Sequence, residues 1–172
     1  ELISPKEKME LLKHYVYSVI IQHEDMHTKN LSLIYDKDLV FFAPLYDVSC
    51  TGIYDTSKGY DTHLTINGKQ SNIRPNDFKA LCKILKIDFK EFKEESFKIA
   101  KLYETELPSY IEEIKALGSI PFYKKKQKAR IGEGAYLKVS KIPMEFHEVL
   151  SKFHKERVEH LKALGWIINE SL

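Results

Sequence analysis

The feature that most constrains this chain is an amphipathic helix that runs into a polar segment and then straight into a short hairpin. Ser4-Pro5-Lys6-Glu7 carries the signs of a helix start: Ser4 as cap, Pro5 at the first helical position and Glu7 completing a capping box. Met9, Leu12, Val16 and Val19 follow at spacings of three and four, which is one helical face. The pattern predicts a helix to about Ile21, interrupted by the polar run Gln22–Asn30. Two apolar runs come next, Leu31–Tyr35 and Leu39–Phe42, separated by Asp36-Lys37-Asp38, which predicts a β-hairpin. Ala43-Pro44-Leu45-Tyr46-Asp47 leaves its second strand.

Downstream, residues 48–61 read as a loop, and His63–Ile66 as a brief strand stopped by the Asn67-Gly68 turn signal. Helical spacing then dominates. One helix begins near Pro75, and a longer one runs from Phe89 to about Glu106, where Pro108 should break or kink it before a C-cap at Gly118. A last helix carries Phe146, Val149, Leu150, Phe153, Leu161 and Leu164 and stops at Gly165. The fold class expected is α+β and predominantly helical, one domain over residues 1–172, with a small hairpin beside the polar loop.

Composition removes several function classes. With 43% hydrophobic residues and a net charge of +2 over 172 residues, a disordered chain is excluded. No apolar run approaches the roughly 20 residues of a membrane helix, so no membrane partner is expected. Cys50 and Cys82 are the two cysteines and form no CxxC, which argues against a disulfide framework and makes a reducing, cytoplasmic setting the expectation. Arg74, Arg130 and Arg157 are the only arginines, a poor supply for bidentate base reading. The basic run Tyr123–Arg130 could meet nucleic acid or phosphate through Lys124–Arg130, but it reads first as a solvated loop between helices.

The polar segment supports two incompatible chemistries. His23-Glu24-x-x-His27 has the form of a zinc-hydrolase helix, with both histidines on one face and Glu24 as general base. It would need a third ligand from Glu104, Glu106 or His63, and it would need the helix to continue past His27. Alternatively, Asp25 and Asn30 have the Asp-x-x-x-x-Asn spacing of a phosphoryl-transfer loop, and Asp47 stands where a hairpin would place a second, metal-binding Asp. There the first Asp accepts the proton of the attacking hydroxyl, and positioning and charge neutralisation do the remaining work.

Asp25-Met26-His27-Thr28-Lys29-Asn30-Leu31-Ser32, then Ala43-Pro44-Leu45-Tyr46-Asp47, then Gly68-Lys69 resemble the HipA-type serine/threonine kinases, toxins of bacterial toxin–antitoxin pairs. That family typically reads Asp-x-His-x-Lys-Asn-x-Ser, Ala-Pro-x-Tyr-Asp and a Gly-Lys motif. The resemblance implies a kinase C-terminal lobe using ATP and Mg2+, with Asp25 as base and Asn30 and Asp47 as magnesium ligands. His27 and Lys29 would line the phosphate side, Lys29 and Asn30 contributing to the nucleotide site. It also implies a protein substrate (an aminoacyl-tRNA synthetase is one candidate), a DNA-binding antitoxin, and a nucleotide-covering N-terminal lobe supplied in cis or in trans. His23-Glu24 departs from the Asn-containing pair the family often has before its Asp. The resulting His-x-Asp-x-His-x-x-Asn string also resembles aminoglycoside and choline phosphotransferases. A non-catalytic interaction module derived from a kinase is a further alternative.

Overall fold

A computed structural model describes residues 3–37, 39–126 and 140–168. The first helix, α1 (Pro5–Ile21), starts as its sequence demands: the Ser4 hydroxyl accepts from the Glu7 amide at 3.2 Å. Glu7 does not close the capping box. Its carboxylate instead accepts from the Phe42 amide at 2.7 Å and ties the helix to the hairpin. Met9, Leu12, Val16 and Val19 are all buried, so the spacing seen in the sequence is the core-facing stripe.

The hairpin is β1 (Leu33–Asp36) against antiparallel β2 (Leu39–Phe42), in the register Leu33 to Phe42 and Asp36 to Leu39. Val40 is its buried anchor, while Leu33, Ile34 and Tyr35 face outward. The expected strand over His63–Ile66 does not form. Only Ile66 pairs, with Lys69, around Asn67 and Gly68 at φ 51° and 74°. Two successive left-handed residues are what a two-residue hairpin turn requires, and Asn-Gly supplies them with little strain. Pairing ends there because Thr62 bridges to His23 and Asp61 turns inward to Arg157.

A short 3₁₀ turn at Pro75–Phe78 leads into α2 (Lys79–Leu85), and α3 spans Phe89–Ala116. Pro108 does not break α3. It sits on the exposed side, where water can take up the hydrogen bond its missing N–H would have made. Gly118, at φ 97°, follows the end of the helix as expected. Beyond it, β3 (Pro121–Lys126) pairs antiparallel with β4 (Ser140–Glu145), a ribbon where the sequence reads as a loop. Gln127–Arg130, the rest of the basic run, lies outside the described residues. α4 (Phe146–Leu164) ends at Gly165, φ 81°.

One core joins α1, α2, α3 and α4. Phe78 stacks on Phe92 with centroids 5.1 Å apart and meets Trp166 edge-on at 5.9 Å. The Trp166 indole N–H donates to the Ile73 carbonyl at 2.7 Å, so its burial strands no donor. Each such fully buried large side chain stabilises the fold by about 1.5–3 kcal/mol. The protein is mixed α/β and mostly helical, with two small antiparallel sheets. Among the described residues no helix is long and apolar enough to cross a membrane.

Candidate active site

α1 stops because Gln22 turns left-handed, at φ 57° and ψ 57°, and the amides of Gln22 and His23 bond back into its last turn. The chain reverses, His23 is buried, and Thr51 clamps the reversal from across the fold. The Thr51 hydroxyl donates to the Gln22 carbonyl at 2.8 Å and accepts from the Glu24 amide at 2.7 Å. Asp25 is then exposed, and Met26, directed inward, anchors the segment in the core.

Asn30 is the pivot of the loop. It is only 4% exposed, and its side-chain oxygen accepts from the His27 amide at 2.9 Å, closing the turn Thr28–Asn30. Its amide nitrogen donates to an Asp47 carboxylate oxygen at 2.8 Å. Residues on the two sides of the hairpin thus meet at one point. Asp47 itself is exposed and holds a left-handed backbone at φ 53°, a conformation Asp tolerates better than most residues. The Tyr46 hydroxyl donates to the Lys29 carbonyl at 2.7 Å and accepts from the Ser32 hydroxyl at 2.7 Å, a second tie between the same two segments. The buried His23 ring lies in the field of both the Asp25 and Asp47 carboxylates. Burial nonetheless lowers its proton affinity below the ordinary histidine value.

The sequence-predicted residues therefore divide. Asn30 and Asp47 are in contact, and Asp25 opens onto an adjacent cleft. His27 packs edge-on against His63, ring centroids 6.3 Å apart, and Lys29 is exposed, tied through its carbonyl rather than its ammonium. Lys69 of the Gly-Lys motif is drawn away to Asp77, at 2.8 Å.

The zinc-hydrolase arrangement is not formed. α1 ends before His23, so His23 and His27 share no helical face. The Glu24 carboxylate is already occupied by the Ser57 hydroxyl and by the amides of Lys58 (2.9 Å), Gly59 (2.8 Å) and Tyr60 (3.1 Å). Burial alone would raise its pKa, but these donors hold it below the ordinary value. Glu104, one of the candidate third ligands, is bound by Lys101 and Lys162.

Sequence reasoning did not find the roles of Thr51, Tyr46, Ser32 and Arg157. Tyr46 and Ser32 stand inside the motif strings and could have been flagged there. Arg157 carried one signal, an isolated arginine on a lysine-rich helix.

The described residues form a mostly helical domain whose candidate site residues are presented by a loop, a hairpin and the turn that leaves it. The chain matches the HipA-like C-terminal domain over residues 2–118, and it belongs to that family. The HipA family is associated with kinase activity in a toxin–antitoxin context. The match ends just after α3, so β3, β4 and α4 lie beyond it. No curated protein matches the chain.

Proposed function

We propose that this chain is the catalytic lobe of a serine/threonine protein kinase that uses ATP and Mg2+. The observation that carries the reading is the contact of the Asn30 amide with the Asp47 carboxylate, made across the base of a hairpin beside the exposed Asp25.

The donor set suits magnesium. A carboxylate is a hard ligand, and so is an amide oxygen, which keeps a second lone pair after accepting one N–H, as the Asn30 oxygen does from the His27 amide; Mg2+ characteristically takes one or two protein oxygens and completes its shell with phosphates and water. Asn30 and Asp47 would hold the ion, which when bound supplies charge neutralisation at the nucleotide phosphates. Asp25 would accept the proton of the acceptor hydroxyl as that oxygen bonds to the γ-phosphorus and ADP departs. Asn30, fixed by the His27 amide, keeps the metal side of the loop in register with Asp25, and the Tyr46 hydroxyl does so through Lys29. Lys29 and His27 would flank the phosphates.

Nucleotide binding in this reading is completed by an N-terminal lobe in cis or in trans. A DNA-binding antitoxin and an aminoacyl-tRNA synthetase acceptor rest on the family resemblance alone.

The test is transfer of labelled γ-phosphate by the full gene product. Asp25→Asn should abolish transfer and largely spare magnesium–nucleotide binding, whereas Asp47→Asn should abolish transfer and weaken that binding. An Asp47→Asn protein with normal turnover would disprove the magnesium assignment.

A further inference from the structure

The kinase reading leaves one built feature unused. Beside Asp25, on the side that excludes Asn30 and Asp47, lies an open cleft of about 600 Å3. Its walls include Tyr54, Lys58, Tyr60 and His63. The loop that contributes Lys58 and Tyr60 is pinned by Glu24, the residue next to Asp25, whose carboxylate gathers the Ser57 hydroxyl and three consecutive amides, Lys58 to Tyr60. A carboxylate that accepts several backbone N–H groups fixes a loop as firmly as a short piece of secondary structure. The covalent neighbour of the proposed base is thus also the anchor of the surface beside it.

We propose that this cleft seats the acceptor as an extended polypeptide segment, with acidic and aromatic or apolar residues flanking the target hydroxyl, and that Glu24 is the positioning residue that holds the loop carrying Lys58 and Tyr60; this rests on the kinase reading above. Four observations select the occupant. Tyr54 is 48% and Tyr60 37% exposed, ring surface that an apolar or aromatic side chain can cover. Lys58 on the same wall favours an anionic neighbour. Of the two carboxylates lining the cleft, Glu24 is already committed to its donors, which leaves Asp25. An aminoglycoside, a polycation, would need several free carboxylates and would meet Lys58 instead. The open shape also suits a chain passing through better than a small molecule enclosed on all sides.

The experiment is an array of serine-centred peptides with each flanking position fixed in turn as Asp, Lys, Phe or Ala, incubated with the full gene product, magnesium and labelled ATP. Wild type should prefer Asp over Lys at one or more positions by about two- to fivefold, the worth of an exposed ion pair. Lys58→Glu should invert that preference. Tyr54→Ala should raise KM for the Phe-flanked peptides by about fivefold, the worth of a lost ring contact. If wild type labels peptides but Lys58→Glu and Tyr54→Ala keep its selectivity and KM, the cleft is not the acceptor site, and the kinase reading stands without it. If wild type labels no peptide and no protein, and Asp25→Asn behaves identically, the kinase reading fails and takes this inference with it.

Discussion

Arg157 is the side chain whose loss should damage this fold most for its size. It reaches from α4 to the C-terminal end of α1, where its Nε donates to the Ile20 carbonyl at 3.0 Å and its Nη2 to the Val19 carbonyl. The same Nη2 pairs with an Asp61 oxygen at 2.8 Å, and the other Asp61 oxygen accepts from the Ile73 amide at 3.0 Å. Arg157 is 6% and Asp61 2% exposed, so water cannot replace either partner. Arg157→Met keeps most of the apolar stem but strands a buried carboxylate and two helix-terminal carbonyls. Breaking a buried pair from one side costs about 3–5 kcal/mol. The carbonyls overlap with that figure rather than adding in full. Asp61→Asn is the milder half: the amide oxygen still accepts, and Arg157 retains the negative end of the α1 dipole, so about 1–2 kcal/mol is expected. For a chain of this size each kcal/mol moves Tm by about 2–4 °C, so Arg157→Met should lower it by about 6–20 °C. Urea unfolding followed by circular dichroism reads both variants. Equal losses for the two, or a loss under about 1 kcal/mol for Arg157→Met, would refute the reasoning.

Three smaller perturbations test other links. Tyr46→Phe removes only the hydroxyl that ties Lys29 to Ser32; about 0.5–1.5 kcal/mol of loop order should go, read as up to about a tenfold fall in kcat with stability barely changed, and an unaltered kcat would count against the tie. Glu24 is held below its ordinary pKa of 4.5, so its stabilisation is complete above that value and is lost as pH falls through the lower folded value. Hydrogen-exchange protection of the Lys58, Gly59 and Tyr60 amides should therefore collapse in that acid range, and Glu24→Gln should show little protection at any pH; protection that persists in acid would contradict the role of the Glu24 carboxylate as their acceptor. Pro108→Ala restores a helical N–H on the exposed side of α3 and should stabilise by about 1–3 kcal/mol; a lower melting temperature would mean that proline fits a bend the helix needs.

Legibility in the sequence followed burial. α1 and α4 could be read because each buries one stripe, and Met9, Leu12, Val16, Val19, Leu161 and Leu164 are all in the interior. The ends at Ser4, Gly118 and Gly165 could be read because capping is local chemistry. The β3–β4 ribbon could not. A two-stranded ribbon lacks a fully covered face, and a run such as Lys124-Lys125-Lys126 carries no alternation to betray a strand. The same distinction holds in the site. Asp25, Asn30 and Asp47 were visible as spacing, since one loop and one hairpin fix their separation. The commitments of Glu24 to the Ser57–Tyr60 loop and of Arg157 to α1 and Asp61 reach across 33 to 138 positions and have no local trace.

Those distant partners explain why α4 matters to a site it does not enter. The family match stops at residue 118, yet Arg157 grips the last turn of α1 immediately before the reversal that exposes Asp25. Gly52, in the turn that carries Thr51, leaves so little room that an added Cβ would lie 2.6 Å from the Phe153 ring of α4 and 2.5 Å from the Gln22 amide oxygen. Thr51 in turn holds Gln22 and Glu24, and Glu24 holds the loop beside Asp25. From α4 to Asp25 the links are close packing contacts and hydrogen bonds, buried at Arg157, part-buried at Thr51 and exposed at Glu24. A loop of polar residues has little intrinsic preference for one conformation. Here its shape is imposed from outside, by a helix at the far end of the chain.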